Sequence, residues 1–254
     1  RIAVREGADY LYNLLCYLYI GNLARLNAHD FALQYNSLLK AHKFPIEAGL
    51  SSVPDQEPLY DVINLNNTIF FTSLQGDSSR YYFPPKNGIY SPSDMIPGAN
   101  GRMAMMWRKP KERKKVPDGD NYFRLPATTS AKNRNITYVD AVIDGSVIDI
   151  NRKEIHTGAA KRHAFPILSE EDVNEGYRKY LSRYGHTVSV KENKKRAAER
   201  MERYADGRKE QKEDFKNEIR EYHGEYPSEF VDGKVTSLGI NPDSTALVYE
   251  LSYK

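Results

Sequence analysis

Cysteine is almost absent: Cys16 is the only one among 254 residues. An internal disulfide is excluded, and the expected setting is reducing, either the cytoplasm or a particle assembled there. Long apolar runs are missing too. The stretch from Tyr10 to Ile20 is too short to span a bilayer and lacks the basic leader and small-residue cleavage site of a secretory signal, so no membrane partner is expected. The sequons at Asn66 and Asn135 therefore read as coincidence. A start at Arg1 instead of methionine is what a trimmed subunit of a larger assembly would show. No internal repeat, low-complexity tract or heptad run is present, and neither is a phosphate-loop or dinucleotide fingerprint. Gly98, Gly101 and Arg102 form only a glycine-containing turn.

Apolar material is plentiful by contrast. Hydrophobic residues make up 40% of the chain and tyrosine alone numbers 19, enough to bury a core and to argue against disorder. A mean hydropathy of -0.68 implies a very polar surface. The net charge of +3 is too mild to identify a partner, so the placement of charge must do so.

The clearest local signal is a long charged helix between Ser189 and Gly224. Ser189 and Glu192 have capping-box spacing, Gly224 tolerates a left-handed exit, and Pro227 forbids resumption. Met201, Tyr204, Phe215, Ile219 and Tyr222 make its apolar stripe, with Gly207 as a weak point. A shorter helix starts at Ser169 and Asp172, carries Val173, Tyr177, Tyr180, Leu181 and Tyr184, and ends at Gly185. These tyrosines read as core, because the paired metal-binding histidines of a DNA-nicking enzyme are missing. Near the N-terminus, Ala8 to Ile20 and a stripe at Phe31, Tyr35, Leu38, Leu39 and His42 predict a helical hairpin. His29 and His42 there read as packed or surface groups.

Strand signals fill the middle and the end. Val62 to Leu65 and Ile69 to Phe71 flank Asn66-Asn67 as a hairpin. Pro84 to Pro126 shows no sustained period and predicts an extended surface excursion. Asp144-Gly145 predicts a two-residue type I′ turn, which sets Asp140 opposite Asp149 and collects Val139, Ala141, Ile143, Ile148 and Ile150 on one core-facing side. Asp232-Gly233 reads as a short turn, and Thr245 to Tyr253 as a closing strand. The expected fold class is α+β: a helical hairpin over 1–50, a mainly β region with a long loop over 51–168, and a helical pair with a C-terminal strand over 169–254, all of which one domain could hold.

Two constellations carry candidate chemistry. Arg102, Trp107, Arg108, Lys109, Lys111, Arg113, Lys114 and Lys115 form a basic loop with Tyr122 and Phe123 nearby. Cations neutralise phosphates and aromatic faces stack on bases, so the mixture suits nucleic acid, although an acidic protein surface would also accept it. Lys132, Arg134, Lys161 and Arg162 are too scattered to add much. Asp140 and Asp149, if opposed, would repel unless a cation such as Mg²⁺ sat between them, with Glu154 and Lys153 able to extend the site. The bland alternative is a solvent-facing pair neutralised by Arg152 or Lys153. His156 and His163 could serve Asp140 as a base with its orienter, but no spacing ties them together. The leading expectation is a non-enzymatic structural or assembly subunit of a large nucleoprotein particle, a virion being one instance, which touches nucleic acid or neighbouring subunits through the basic loop. The alternative is a metal-dependent nuclease or nucleotidyl-transfer enzyme using the paired aspartates.

Overall fold

The computed structural model describes residues 2–22, 27–52, 68–77, 79–85, 89–107, 122–185, 194–242 and 244–254. The fold is α+β, with two four-stranded antiparallel sheets among the described residues. The chain divides into two compact units, Arg1–Asn133 and Arg134–Lys254. That boundary falls inside the 51–168 span, because the strands on either side of it pair with different partners. Among the described residues no helix is long and apolar enough to cross a membrane.

The first unit opens with the expected helical hairpin, α1 (Ile2–Asn22) and α2 (Ala28–Ala41). The Asn27 side chain caps α2 by accepting from the Asp30 N–H, and Phe31, Ala32, Tyr35 and Leu39 form its buried stripe. Four strands follow: β1 (Ile46–Ser52), β2 (Thr68–Leu74), β3 (Met103–Trp107) and β4 (Tyr122–Arg124), in the order β2-β1-β3-β4. The partner of β2 is β1, and the expected 62–71 hairpin has its first half and its turn outside the described residues. The excursion expected from Pro84 to Pro126 is corrected: β3 and β4 both belong to this sheet, and Met95, Ala99, Ala104 and Leu125 are buried with Phe71, Tyr81 and Phe83. Strands this short show no readable period.

The second unit begins with β5 (Asn135–Asp144) and β6 (Val147–His156), continues through α3 (Glu170–Ser182) and α4 (Lys194–His223), and ends on β7 (Phe230–Leu238) and β8 (Leu247–Tyr253). Its sheet order is β5-β6-β8-β7. Ser169 and Asp172 form the expected capping box on α3, with Val173, Tyr177, Tyr180 and Leu181 buried; Tyr184, beyond the helix end, is 40% exposed and not core. Helix α4 runs unbroken through Gly207 and leaves at Gly224, where φ is +86°. Its expected start at Ser189 lies outside the described residues. Tyr204, Phe215 and Ile219 face inward, whereas Met201 and Tyr222 are half exposed. Strand β8 alternates as expected, with Leu247, Tyr249, Leu251 and Tyr253 packed under Phe215 and Ile219. Asp232-Gly233 is no turn. It lies inside β7, where a Cβ on Gly233 would stand 2.7 Å from the Phe215 ring, so glycine lets α4 approach the sheet.

The β5–β6 turn sits one residue later than Asp144-Gly145. Asp144 pairs with Val147, leaving Gly145-Ser146 as the loop with Gly145 at φ +63°. This is the arrangement of a type II′ turn, which needs positive φ only at its first central residue and spares Asp144 that conformation. Each residue is thus paired two positions further along than expected. Because the displacement is even, the two faces keep their membership.

Candidate functional site

Along β6 the inward face continues from Ile148 and Ile150 into Arg152, Glu154 and His156, which are only 1%, 4% and 4% exposed. Strand parity places three ionisable side chains under α4, among Tyr249, Leu251 and Tyr253. A buried guanidinium needs a counter-charge. Arg152 finds two: its Nη2 donates to the carboxylate of Glu218 on α4, and its Nε lies 3.4 Å from Glu154 Oε1. The rest of the guanidinium faces rings, with Tyr222 at 4.4 Å and Tyr253 at 5.8 Å, while Nη1 makes no hydrogen bond. The Tyr249 hydroxyl donates to Glu218 Oε1 at 3.1 Å, and the Thr137 hydroxyl donates to Glu154 Oε2 at 2.8 Å. His223 Nε2 and the Tyr253 hydroxyl are 2.6 Å apart.

Burial sets the protonation states here. Desolvation raises the Glu154 carboxyl above its usual range, although the Thr137 hydroxyl and Arg152 pull the other way. It also raises the Tyr249 phenol, helped by Glu154, and opposed by Arg152. His156 is pushed down to about 4 by burial first, then by His163 and Arg152, against the Ala160 backbone. Its ring is therefore neutral near pH 7, stacked on Tyr249 at 5.5 Å with Nδ1 2.7 Å from Asn135 Oδ1, and among the described residues its Nε2 makes no well-formed hydrogen bond. With these groups closed to solvent, the cluster acts as a strut that fastens α4 to the sheet.

The aspartates fare differently from the expectation. Asp140 pairs with Asn151, and Asp149 with Val142, so the direct opposition that would demand a cation is absent. Lys254 Nζ lies 3.8 Å from Asp149. Glu154 and His156 belong to the opposite face from Asp140, so neither extends a site built on it, and Lys153 is engaged with Glu250 at 3.3 Å. Among the described residues, no three or more His, Cys, Asp or Glu side chains are gathered to hold a metal.

Of the basic loop, Arg102 is described at the entry to β3, half-buried, with its N–H donating to Ala99 O, and the backbone of Trp107 closes β3 opposite Ala48. Arg108, Lys109, Lys111, Arg113, Lys114 and Lys115 lie outside the described residues. Lys161 is unavailable to a phosphate, being buried with Nζ donating to Gly239 O at 2.7 Å.

A second buried network sits in the first unit. Asp9 pairs with Arg80 at 3.0 Å and accepts from the Tyr82 hydroxyl at 2.8 Å, while Tyr12 and Tyr35 donate to the backbone of Phe83 and Ala8. Burial, reinforced by Asp9, raises the Tyr82 phenol.

Apolar side chains are exposed together along β5 and at the far end of β6. Tyr138, Val139, Val142, Ile143, Val147 and Ile148 are 42–73% exposed. The core face expected at Val139, Ala141, Ile143, Ile148 and Ile150 is thus real as a face but uncovered over most of its length. The core cluster beneath α4 is built from residues of α4, β8 and the 164–168 segment, with Ile150 of β6 and Phe230 and Val235 of β7 packed against it, and takes no residue from β5. Compared with protein-family models, curated proteins and solved structures, the chain matches none.

Proposed function

We propose that this protein is a non-enzymatic structural or assembly subunit of a nucleoprotein particle, contacting neighbouring subunits through the exposed hairpin and nucleic acid through the basic loop. The observation that carries this reading is the uncovered apolar hairpin, with Val139, Ile143 and Ile148 exposed on one face and Tyr138, Val142 and Val147 on the other. Large apolar side chains exposed together in this way mark contact surfaces. The nucleic-acid part rests on composition: seven cations with one acid between Arg102 and Lys115, next to Trp107 and Tyr122.

The test is the protein's mass in solution across a salt series, with and without mixed-length nucleic acid. Complexes that dissolve as salt rises support the nucleic-acid contact, and replacing Lys111, Arg113, Lys114 and Lys115 by glutamine should flatten the salt slope. An unchanged slope removes the loop from the reading.

A further inference from the structure

The second unit's sheet has two edges, and they are built differently. Strand β7 breaks register twice, between Phe230 and Asp232 and between Val235 and Ser237, and its Lys234 ion-pairs with Glu250 at 3.2 Å. Bulges and lysines are the devices that keep an edge from recruiting another strand. Strand β5 has none of them. It runs ten residues without lysine, arginine, proline or glycine, and its register with β6 is continuous from Asn135 to Asp144.

The free hydrogen-bonding groups on β5 follow from the turn. A two-residue turn closes on a hydrogen-bonded pair, here Asp144 with Val147, and bonded and unbonded pairs alternate from there. Even-numbered residues therefore direct their backbone groups at β6. Thr137, Val139, Ala141 and Ile143 direct theirs outward.

We propose, resting on the assembly reading above, that two copies of this chain pair antiparallel along β5 about a two-fold axis, joining their sheets with Ala141 opposite its own counterpart. A two-fold pair of these outward groups sets odd residues against odd ones and keeps both apolar faces on one side. Charge then selects the register, since the hairpin from Asn135 to Asn151 carries Asp140, Asp144 and Asp149 and no cation. Centring on Asp140 would oppose two carboxylates, and centring on Val142 would oppose Asp140 with Asp144. Centring on Ala141 avoids both. It sets Val139 against Ile143, the exposed apolar residues of the uncovered face, Asp140 against Val142, and Tyr138 against Asp144 as a hydrogen-bond partner. Centring on Val139 also spares the acids, but it faces Ile143 with Asn135. The strands, with the apolar side chains they cover in both copies, approach the roughly 1,000 Å² at which specific association begins.

The experiment uses the full chain without nucleic acid. Analytical ultracentrifugation should show a concentration-dependent dimer, and Ile143→Lys should raise its dissociation constant by about tenfold or more. Ala141→Cys should cross-link to itself under mild oxidation, since facing Cα atoms about 5.5 Å apart accept a disulfide. Val139→Cys and Ile143→Cys should cross-link only when mixed. The unsubstituted chain is the background control, its one cysteine being buried. A monomer at every concentration overturns the pairing, as does a dimer in which Ala141→Cys fails to cross-link. Salt-sensitive complexes with nucleic acid that persist in such a monomer would leave the assembly reading standing. A cross-linked dimer indifferent to nucleic acid would do the reverse.

Discussion

The two ends of the β5–β6 hairpin share a sequence style and have opposite fates. Both alternate, both are rich in β-branched residues, and both present one apolar-parity face to the same side of the sheet. At the root, that face carries Arg152, Glu154 and His156 and is buried beneath α4. At the tip it carries Ile143 and Ile148, and on β5 opposite Arg152 it carries Val139, and there it is exposed. Ionisable groups lie inside and apolar groups outside, the reverse of what hydrophobicity alone assigns. Coverage decides it: β6 pairs with β8 only from Ile150 to His156, and the core beneath α4 stops short of β5.

Breaking the root should have the largest effect. Arg152→Ala leaves the Glu218 and Glu154 carboxylates without their buried partner, and thermal or denaturant unfolding should show a loss of about 3–5 kcal/mol. Arg152→Met combined with Glu218→Leu and Glu154→Gln should recover much of it, because no buried charge is then left without a partner. Next in size is pH. The folded-state pKa of His156 lies near 4, below the unfolded value near 6.5, so the unfolded chain binds the extra proton in that window. Stability should therefore fall as pH drops from about 6.5 toward 4, by on the order of 1–2 kcal/mol after allowance for solvent screening. His156→Gln should flatten that slope, read by midpoints measured at several pH values.

Sharpening the comparison requires smaller changes at the tip. Gly145→Ala adds a methyl group that meets nothing within 4 Å, so its cost is backbone strain at φ +63° alone, about 1–3 kcal/mol. Val142→Thr and Ile143→Ser, at positions 64% and 73% exposed, should leave the unfolding midpoint of the monomer within about 0.5 kcal/mol while weakening self-association. A tip substitution as costly as Arg152→Ala would mean that the exposed side chains are structural after all.

How far sequence could reach follows the range of the interactions involved. Helices α2 and α3 and strand β8 were legible because caps, stripes and alternation are written within a few residues. The hairpin faces were legible for the same reason, and they survived the shift of the turn to Gly145-Ser146 because it moved the pairing by an even number. The buried strut is partly written in the same parity. The expectation sets Arg152 and Lys153 alike on the solvent side with the aspartates, whereas the parity running from Ile148 through Ile150 places Arg152, Glu154 and His156 on the core side. What parity could not supply was Glu218, 66 residues away on another element.

By itself, the sequence determined the α+β class, the period of each long element and which side chains share a face, because these depend on backbone geometry repeating every two or 3.6 residues. Tertiary structure alone decided that β6 lies between β5 and β8, that β1 lies between β2 and β3, and which part of each face is covered. Those outcomes depend on distant segments meeting, and a local pattern reads the same whether a helix lies over it or water does.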